Sequence, residues 1–162
     1  MTDVGRCPVS GTPGTRTHLV TLKALLTGSA LRRLDGKGYH FCPDPSCDVV
    51  YFDREADSIF GKDDLSVRVG LKETEAPIPL CYCFGFTVTD LVSDIAKRGE
   101  TQIPASITAE VRARHCACEV RNPQGTCCIS EVSRALREIR SHADVLEDSD
   151  GVAFRLGSSQ NG

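Results

Sequence analysis

Tyr39-His40-Phe41-Cys42-Pro43-Asp44-Pro45-Ser46-Cys47-Asp48-Val49-Val50-Tyr51-Phe52 decides how the first half of this chain is read. Tyr39 to Cys42 and Val49 to Phe52 are short runs of aromatic and β-branched residues, the composition of strands. Between them Pro43-Asp44-Pro45-Ser46 is a tight loop, because proline pre-sets φ while Asp and Ser bond their own backbone. A cysteine stands at each end of that loop.

Working outward, Gly11, Pro13 and Gly14 mark an early turn. His18 to Leu25 is apolar enough for a strand, and Leu25 to Leu34 reads as a short helix broken by Asp35-Gly36-Lys37-Gly38. Ile59-Phe60 and Val67 to Leu71 are expected to complete the sheet. Residues 1–71 are therefore expected to form a small β-rich subdomain. Residues 72–79 are polar and carry Pro77 and Pro79, so they read as an extended linker.

Residues 80–142 carry helical signals. Thr87 or Thr89 caps a helix to about Lys97, with Leu91, Val92 and Ile95 on its apolar side and Gly99 as its stop. Pro104-Ala105-Ser106 starts a second helix through Arg114, with Ile107 and Val111 four apart. Ser130 to Ile139 forms a third, with Val132, Leu136 and Ile139 inward. Residues 143–162 turn acidic and then Gly/Ser-rich, and are expected to be a disordered tail. The fold class expected is α+β: a small zinc-stapled β-rich subdomain followed by a small helical, [2Fe–2S]-binding one.

With 162 residues the chain has room for one ordinary domain or two very small ones. A hydrophobic share of 40%, six Phe, three Tyr and no Trp describe a thin core that profits from a staple. A formal net charge of -3 and the lack of a Lys/Arg run argue against nucleic acid as a partner. No stretch reaches the length of a membrane span, so no membrane insertion is expected. Met1-Thr2-Asp3-Val4-Gly5 has neither the basic region nor the apolar run of a signal peptide. The expected location is the reducing cytoplasm, where thiols stay free and are available to metal.

Nine cysteines then demand a chemistry: Cys7, Cys42, Cys47, Cys81, Cys83, Cys116, Cys118, Cys127 and Cys128. Cys7, Cys42 and Cys47 converging on one tetrahedral ion make a structural-zinc pattern, with His18, His40, Asp44 or water as the candidate fourth donor. Cys81 and Cys83 form a Cys-x-Cys pair. Asn122-Pro123-Gln124-Gly125 is a turn that folds Cys118 back toward Cys127-Cys128. Four soft donors from separate segments suit a [2Fe–2S] cluster, and Cys81, Cys83, Cys118 and Cys128 are the expected ligands. Zinc in place of the cluster, dithiol redox chemistry and plain core packing remain alternatives at the same residues. Adjacent side chains diverge, so only one of Cys127 and Cys128 faces a metal. Cys116 and the other member of that pair are spare thiols.

Tyr39 to Cys42, Cys47 to Phe52, Val67-Arg68-Val69-Gly70, Cys81-Tyr82-Cys83 and Asn122 to Cys128 together resemble the N-terminal domain of CopZ-type copper chaperones over most of residues 5–135. The second half is also similar to bacterioferritin-associated ferredoxins. The resemblance implies a mononuclear zinc site on Cys7, Cys42 and Cys47, a [2Fe–2S] cluster on Cys81, Cys83, Cys118 and Cys128, and a copper-binding or redox partner protein. Some members carry Cys-x-x-Cys at the N-terminus, where this chain has Ser10. Two functions are expected in turn. The first is one-electron transfer by the cluster, linked to copper handling. The alternative is a soft-metal-binding chaperone or sensor that uses Cys116 and Cys127 to take Cu+ beside structural metal centres. No Ser/His/Asp spacing points to hydrolysis.

Overall fold

A computed structural model describes residues 5–150, with side chains through residue 143. The chain divides into two compact units. One takes the residues up to Glu75 together with Ala117–Cys127. The other takes Ala76–Cys116 and the residues from Cys128 on.

The first unit is built on a four-stranded antiparallel sheet, in the order β1 (Thr15–Arg16), β2 (His40–Phe41), β3 (Val49–Asp53) and β4 (Ser58–Gly61). All five residues of β3 are buried, which requires cover on both faces of the sheet. Side chains alternate between faces along a strand. Val50 and Tyr51 join Phe41, Phe60, Tyr39, Leu22 and Leu26 in the main apolar core. Phe52 and Val49 pack instead with Cys7, Cys42 and Cys47. A register shift between Val49 and Tyr51 accounts for Val49 lying with Phe52 rather than with Tyr51.

The expected strand over His18 to Leu25 is a helix, α1 (Leu19–Leu25). Leu19, Leu22 and Leu26 recur at helical spacing and turn one face to the core. A second short helix, α2 (Gly28–Leu31), is capped by the Thr27 hydroxyl, which accepts from the Ala30 N–H at 3.3 Å. Val67 to Leu71 does not complete the sheet; Gly70–Lys72 is a single 3-10 turn. Asp53 anchors the loop before β2. Its buried carboxylate accepts from the backbone N–H of Lys37 (2.9 Å), Gly38 (2.7 Å), Glu55 (3.0 Å) and Ala56 (3.3 Å).

Ala117–Cys127 returns to this first unit and contains a short helix, α5 (Cys118–Arg121), beside α1. The Tyr51 hydroxyl donates to the Pro123 carbonyl at 2.6 Å, and the Asn122 amide donates to the Thr126 carbonyl at 2.8 Å. Gly125 takes φ +70° in that turn, and a Cβ there would come within 3.0 Å of Thr21 Oγ1.

The second unit holds a hairpin, β5 (Pro79–Cys81) with β6 (Phe86–Thr87), and three helices. α3 (Val88–Arg98) starts at a Thr87/Asp90 capping box and stops at Gly99 in the left-handed conformation. α4 (Ile103–Arg112) has Pro104 in its first turn. α6 runs Ile129–Asp150, well beyond the expected Ile139. Of the tail expected over 143–162, the part from 151 on lies outside the described residues. Leu80, Leu91, Ile103, Ile107, Val132 and Ala135 form this unit's core. Among the described residues no helix is long and apolar enough to cross a membrane.

Candidate metal centre

Cys7 sits in a closed loop at the start of the chain. Its N–H donates to the Thr12 carbonyl, its carbonyl accepts from the Gly11 N–H, both at 2.9 Å, and Gly11 turns the chain at φ +73°. Gly14 lets this loop lie on the sheet: a Cβ there would stand 2.7 Å from Phe52 Cζ and 2.9 Å from His40 Cβ. Cys42 follows β2, its N–H donating to the Val50 carbonyl at 2.9 Å. The Asp44 carboxylate then accepts from the Ser46 N–H at 2.8 Å, which tightens the loop and returns Cys47 beside Cys42.

Three thiols thus meet on one face of the sheet, with ligand atoms all within 4.8 Å of one another. Cys7, Cys42 and Cys47 are 1%, 0% and 6% exposed. Cys7 Sγ and Cys47 Sγ are 3.9 Å apart, and Ser10 Oγ is 3.5 Å from Cys42 Sγ. In a tetrahedral zinc site the metal–ligand lengths require an S···S edge of about 3.8 Å and an S···O edge of about 3.6 Å. These two distances are compatible with two edges of such a tetrahedron. The Thr12 N–H donates to Ser10 Oγ at 3.3 Å, which orients the hydroxyl.

The electrostatics set Cys7 and Cys47 apart. Burial alone raises the Cys7 thiol, but hydrogen bonds from the Ser10 side chain and backbone, the Val9 N–H and Cys42 outweigh it, lowering its pKa from 9.0 to about 7. Cys47 is pushed up by burial first, and then by charge on Cys42 and Cys7. Cys7 thus ionises more readily than Cys47, and a bound cation would supply charge that favours deprotonation.

Of the side chains expected in the fourth position, His18, His40 and Asp44, none belongs to this group. His40 stacks on Phe52 at 5.5 Å between ring centroids, with its buried Nδ1 lacking a hydrogen-bond partner. His18 precedes α1, and the Asp44 carboxylate is engaged by Ser46 and Thr12. Ser10 was not among the expected donors, although its Cys7-x-x-Ser10 spacing placed it one turn from the first thiol.

The expected [2Fe–2S] cluster on Cys81, Cys83, Cys118 and Cys128 is not borne out. Among the described residues the Cys7/Cys42/Cys47 triad is the one group of three or more potential ligands brought within reach of a single ion. Cys81 and Cys128 are buried members of the second unit's apolar core, and Cys83 packs against it. Cys118 belongs to α5 of the first unit. A buried cysteine serves as a small apolar side chain at least as readily as it serves as a ligand, which is why cysteine density alone misled. The electron-carrier function built on that cluster falls with it. All nine cysteines are thiols rather than disulfides, with Cys116 half-buried and Cys127 exposed.

The comparisons agree with this geometry. Residues 4–66 match the CopZ family described as a zinc binding domain. The chain is 36% identical over 123 residues to the copper chaperone CopZ of Archaeoglobus fulgidus, an alignment that covers 76% of this chain. It spans 57% of that relative's length. The X-ray structure of the Archaeoglobus fulgidus CopZ N-terminal domain superposes with a TM-score of 0.65 at 31% identity, covering 80% of this chain and 95% of that one. The likeness expected to bacterioferritin-associated ferredoxins finds no support in these matches. The chain belongs to the family of CopZ N-terminal domains.

Proposed function

We propose that this chain is a soft-metal-binding protein of the chaperone type, in which Cys7, Cys42 and Cys47 hold one thiophilic ion, Zn2+ or Cu+. The observation that carries the reading is the convergence of three buried thiols, two of them 3.9 Å apart, with the Ser10 hydroxyl 3.5 Å from the third. Thiolates are soft donors, so this set favours zinc and Cu+ over calcium or magnesium. Three strong donors and one weak one leave a corner where an incoming thiolate enters, and ligand exchange there would move the ion to a partner protein. The relative's description as a copper chaperone supports that partner being copper-binding.

The test is anaerobic titration of reduced protein with Zn2+ and with Cu+, against a chromophoric chelator of each. One tight ion per chain, lost in Cys42→Ala, supports the triad. Unchanged stoichiometry and affinity in Cys42→Ala would reject it. Cys116 and Cys127 reach solvent, as a thiol that receives or passes on a soft ion must. The double variant C116S/C127S measures their share: a second equivalent of Cu+ that disappears with them assigns them to transfer, and identical uptake removes them from the function.

A further inference from the structure

Lys72 closes the short turn Gly70–Lys72 and is 4% exposed, a rare burial for a lysine. Its ammonium donates to the carbonyl oxygens of Asp44 at 2.7 Å and Cys47 at 3.0 Å, and lies 5.8 Å from the centroid of the Phe41 ring. Among the described residues no carboxylate pairs with it. Carbonyl dipoles and a ring face offset only part of the cost of taking a full charge out of water. A buried cation of this kind needs an anion close by.

Both carbonyls that hold Lys72 belong to the loop between Cys42 and Cys47, and one of them is the carbonyl of Cys47 itself. Three neutral thiols give Lys72 no counter-charge. Three thiolates around a divalent ion sum to one negative charge, which one ammonium balances. In so dry a setting the attraction is weakly screened.

We propose that Lys72 is the built-in counter-charge of the Cys7/Cys42/Cys47 metal–thiolate centre and positions its Cys42–Cys47 loop, raising affinity for a divalent thiophilic ion. This inference rests on the triad as the metal site. It makes Lys72 a positioning residue and not a ligand.

The experiment compares zinc affinity, by chelator competition, and thermal melting with and without zinc in the full chain and in three variants. Lys72→Gln keeps a donor for the two carbonyls and removes the charge. Lys72→Met removes both. Lys72→Arg keeps the charge. Loss of such an outer partner weakens metal binding by about 10- to 100-fold. That loss is expected in Lys72→Gln and Lys72→Met, with a smaller zinc-induced rise in Tm, while Lys72→Arg recovers most of the affinity. If Lys72→Gln binds zinc as the unaltered chain does, the counter-charge is refuted. A Tm lowered equally with and without zinc, at constant affinity, would show a packing lysine only and refutes it too. Zinc binding absent from the unaltered chain would overturn the triad itself.

Discussion

Replacing Ser10 by Cys tests the geometry of the metal centre directly. Ser10 Oγ lies 3.5 Å from Cys42 Sγ, while Cys7 Sγ and Cys47 Sγ stand 3.9 Å apart. A four-sulfur tetrahedron needs edges of about 3.8 Å, so a sulfur at position 10 has to stand only a few tenths of an ångström farther from Cys42 than the oxygen does. The longer Cβ–S bond supplies that reach without moving the backbone. The variant gives up one hydrogen bond from the Thr12 N–H and gains a fourth thiolate. Substitution with Co2+, which reports tetrahedral thiolate ligation by its near-ultraviolet charge-transfer absorption, should show that absorption rise by about one third as thiolates go from three to four. Zinc release to a chelator should slow, with affinity up about tenfold, equivalent to about 1.4 kcal/mol. The metal-free Tm serves as the folding control. A folded Ser10→Cys variant whose Co2+ spectrum still reports three thiolates would show that residue 10 does not stand at the fourth corner.

Three further outcomes follow from other parts of the fold. Asp53→Asn should destabilise the protein by about 1–3 kcal/mol at neutral pH, because the carboxylate accepts four backbone N–H groups, and urea unfolding measures it. Burial raises the Asp53 pKa, but those N–H groups outweigh it and hold it below the ordinary 3.8. Its contribution is therefore complete above 3.8 and fades as pH falls through the lower folded value, so the stability gap between wild type and Asp53→Asn should narrow in acid. Cys81→Ala should lower stability by about 1–2 kcal/mol through a small cavity in the second unit's core, and leave zinc stoichiometry unchanged by metal analysis. Gly125→Ala should lose about 1–2 kcal/mol in thermal melts, since it forces a side chain into φ +70° and against Thr21.

What was legible in the sequence was the part written in local chemistry. Tyr39 to Cys42 and Val49 to Phe52 emerged as paired strands around a Pro-Asp-Pro loop because aromatic and β-branched runs ended by turn residues have few other solutions. Thr87 and Gly99 marked both ends of α3 for the same reason. His18 to Leu25 misled because its apolar content was weighed above the helical spacing of Leu19, Leu22 and Leu26. The hairpin of β5 and β6 falls where the sequence suggests only a linker and a cysteine-bearing loop before the first helix, although Gly85, at φ +76°, signals its turn. Two-residue strands such as Thr15–Arg16 are too short to show any period. The return of Ala117–Cys127 to the first unit depends on long-range contacts, the Tyr51–Pro123 bond among them, that leave no periodic trace. At the site, the three thiols were found by residue type. Ser10 was passed over because a hydroxyl is a weak ligand, and Lys72 because lysine is ordinarily a surface residue.

The nine cysteines show why residue type and density do not by themselves locate a metal. A thiol acts as a ligand where its sulfur faces other donors, and as a small apolar group where it faces hydrocarbon. Cys81 is buried with Leu80, Leu91, Ile107 and Val132 in an apolar core of ordinary make-up. Among the described residues, Cys7, Cys42 and Cys47 share theirs with Val49 and Phe52. Two apolar side chains make a poor core, and the loop that carries Cys7 is otherwise held by polar bonds, among them Gly14 N–H to the Gly5 carbonyl at 2.6 Å and the Thr12 hydroxyl to Asp44. The reverse face of β3 has its cover from Tyr39, Phe41 and Phe60 and no such deficit. An ion bound by the triad would join the first loop to the sheet at the point where apolar burial is thinnest. Release of such an ion would then remove one tie between the sheet and the segment that carries Cys7 and Ser10.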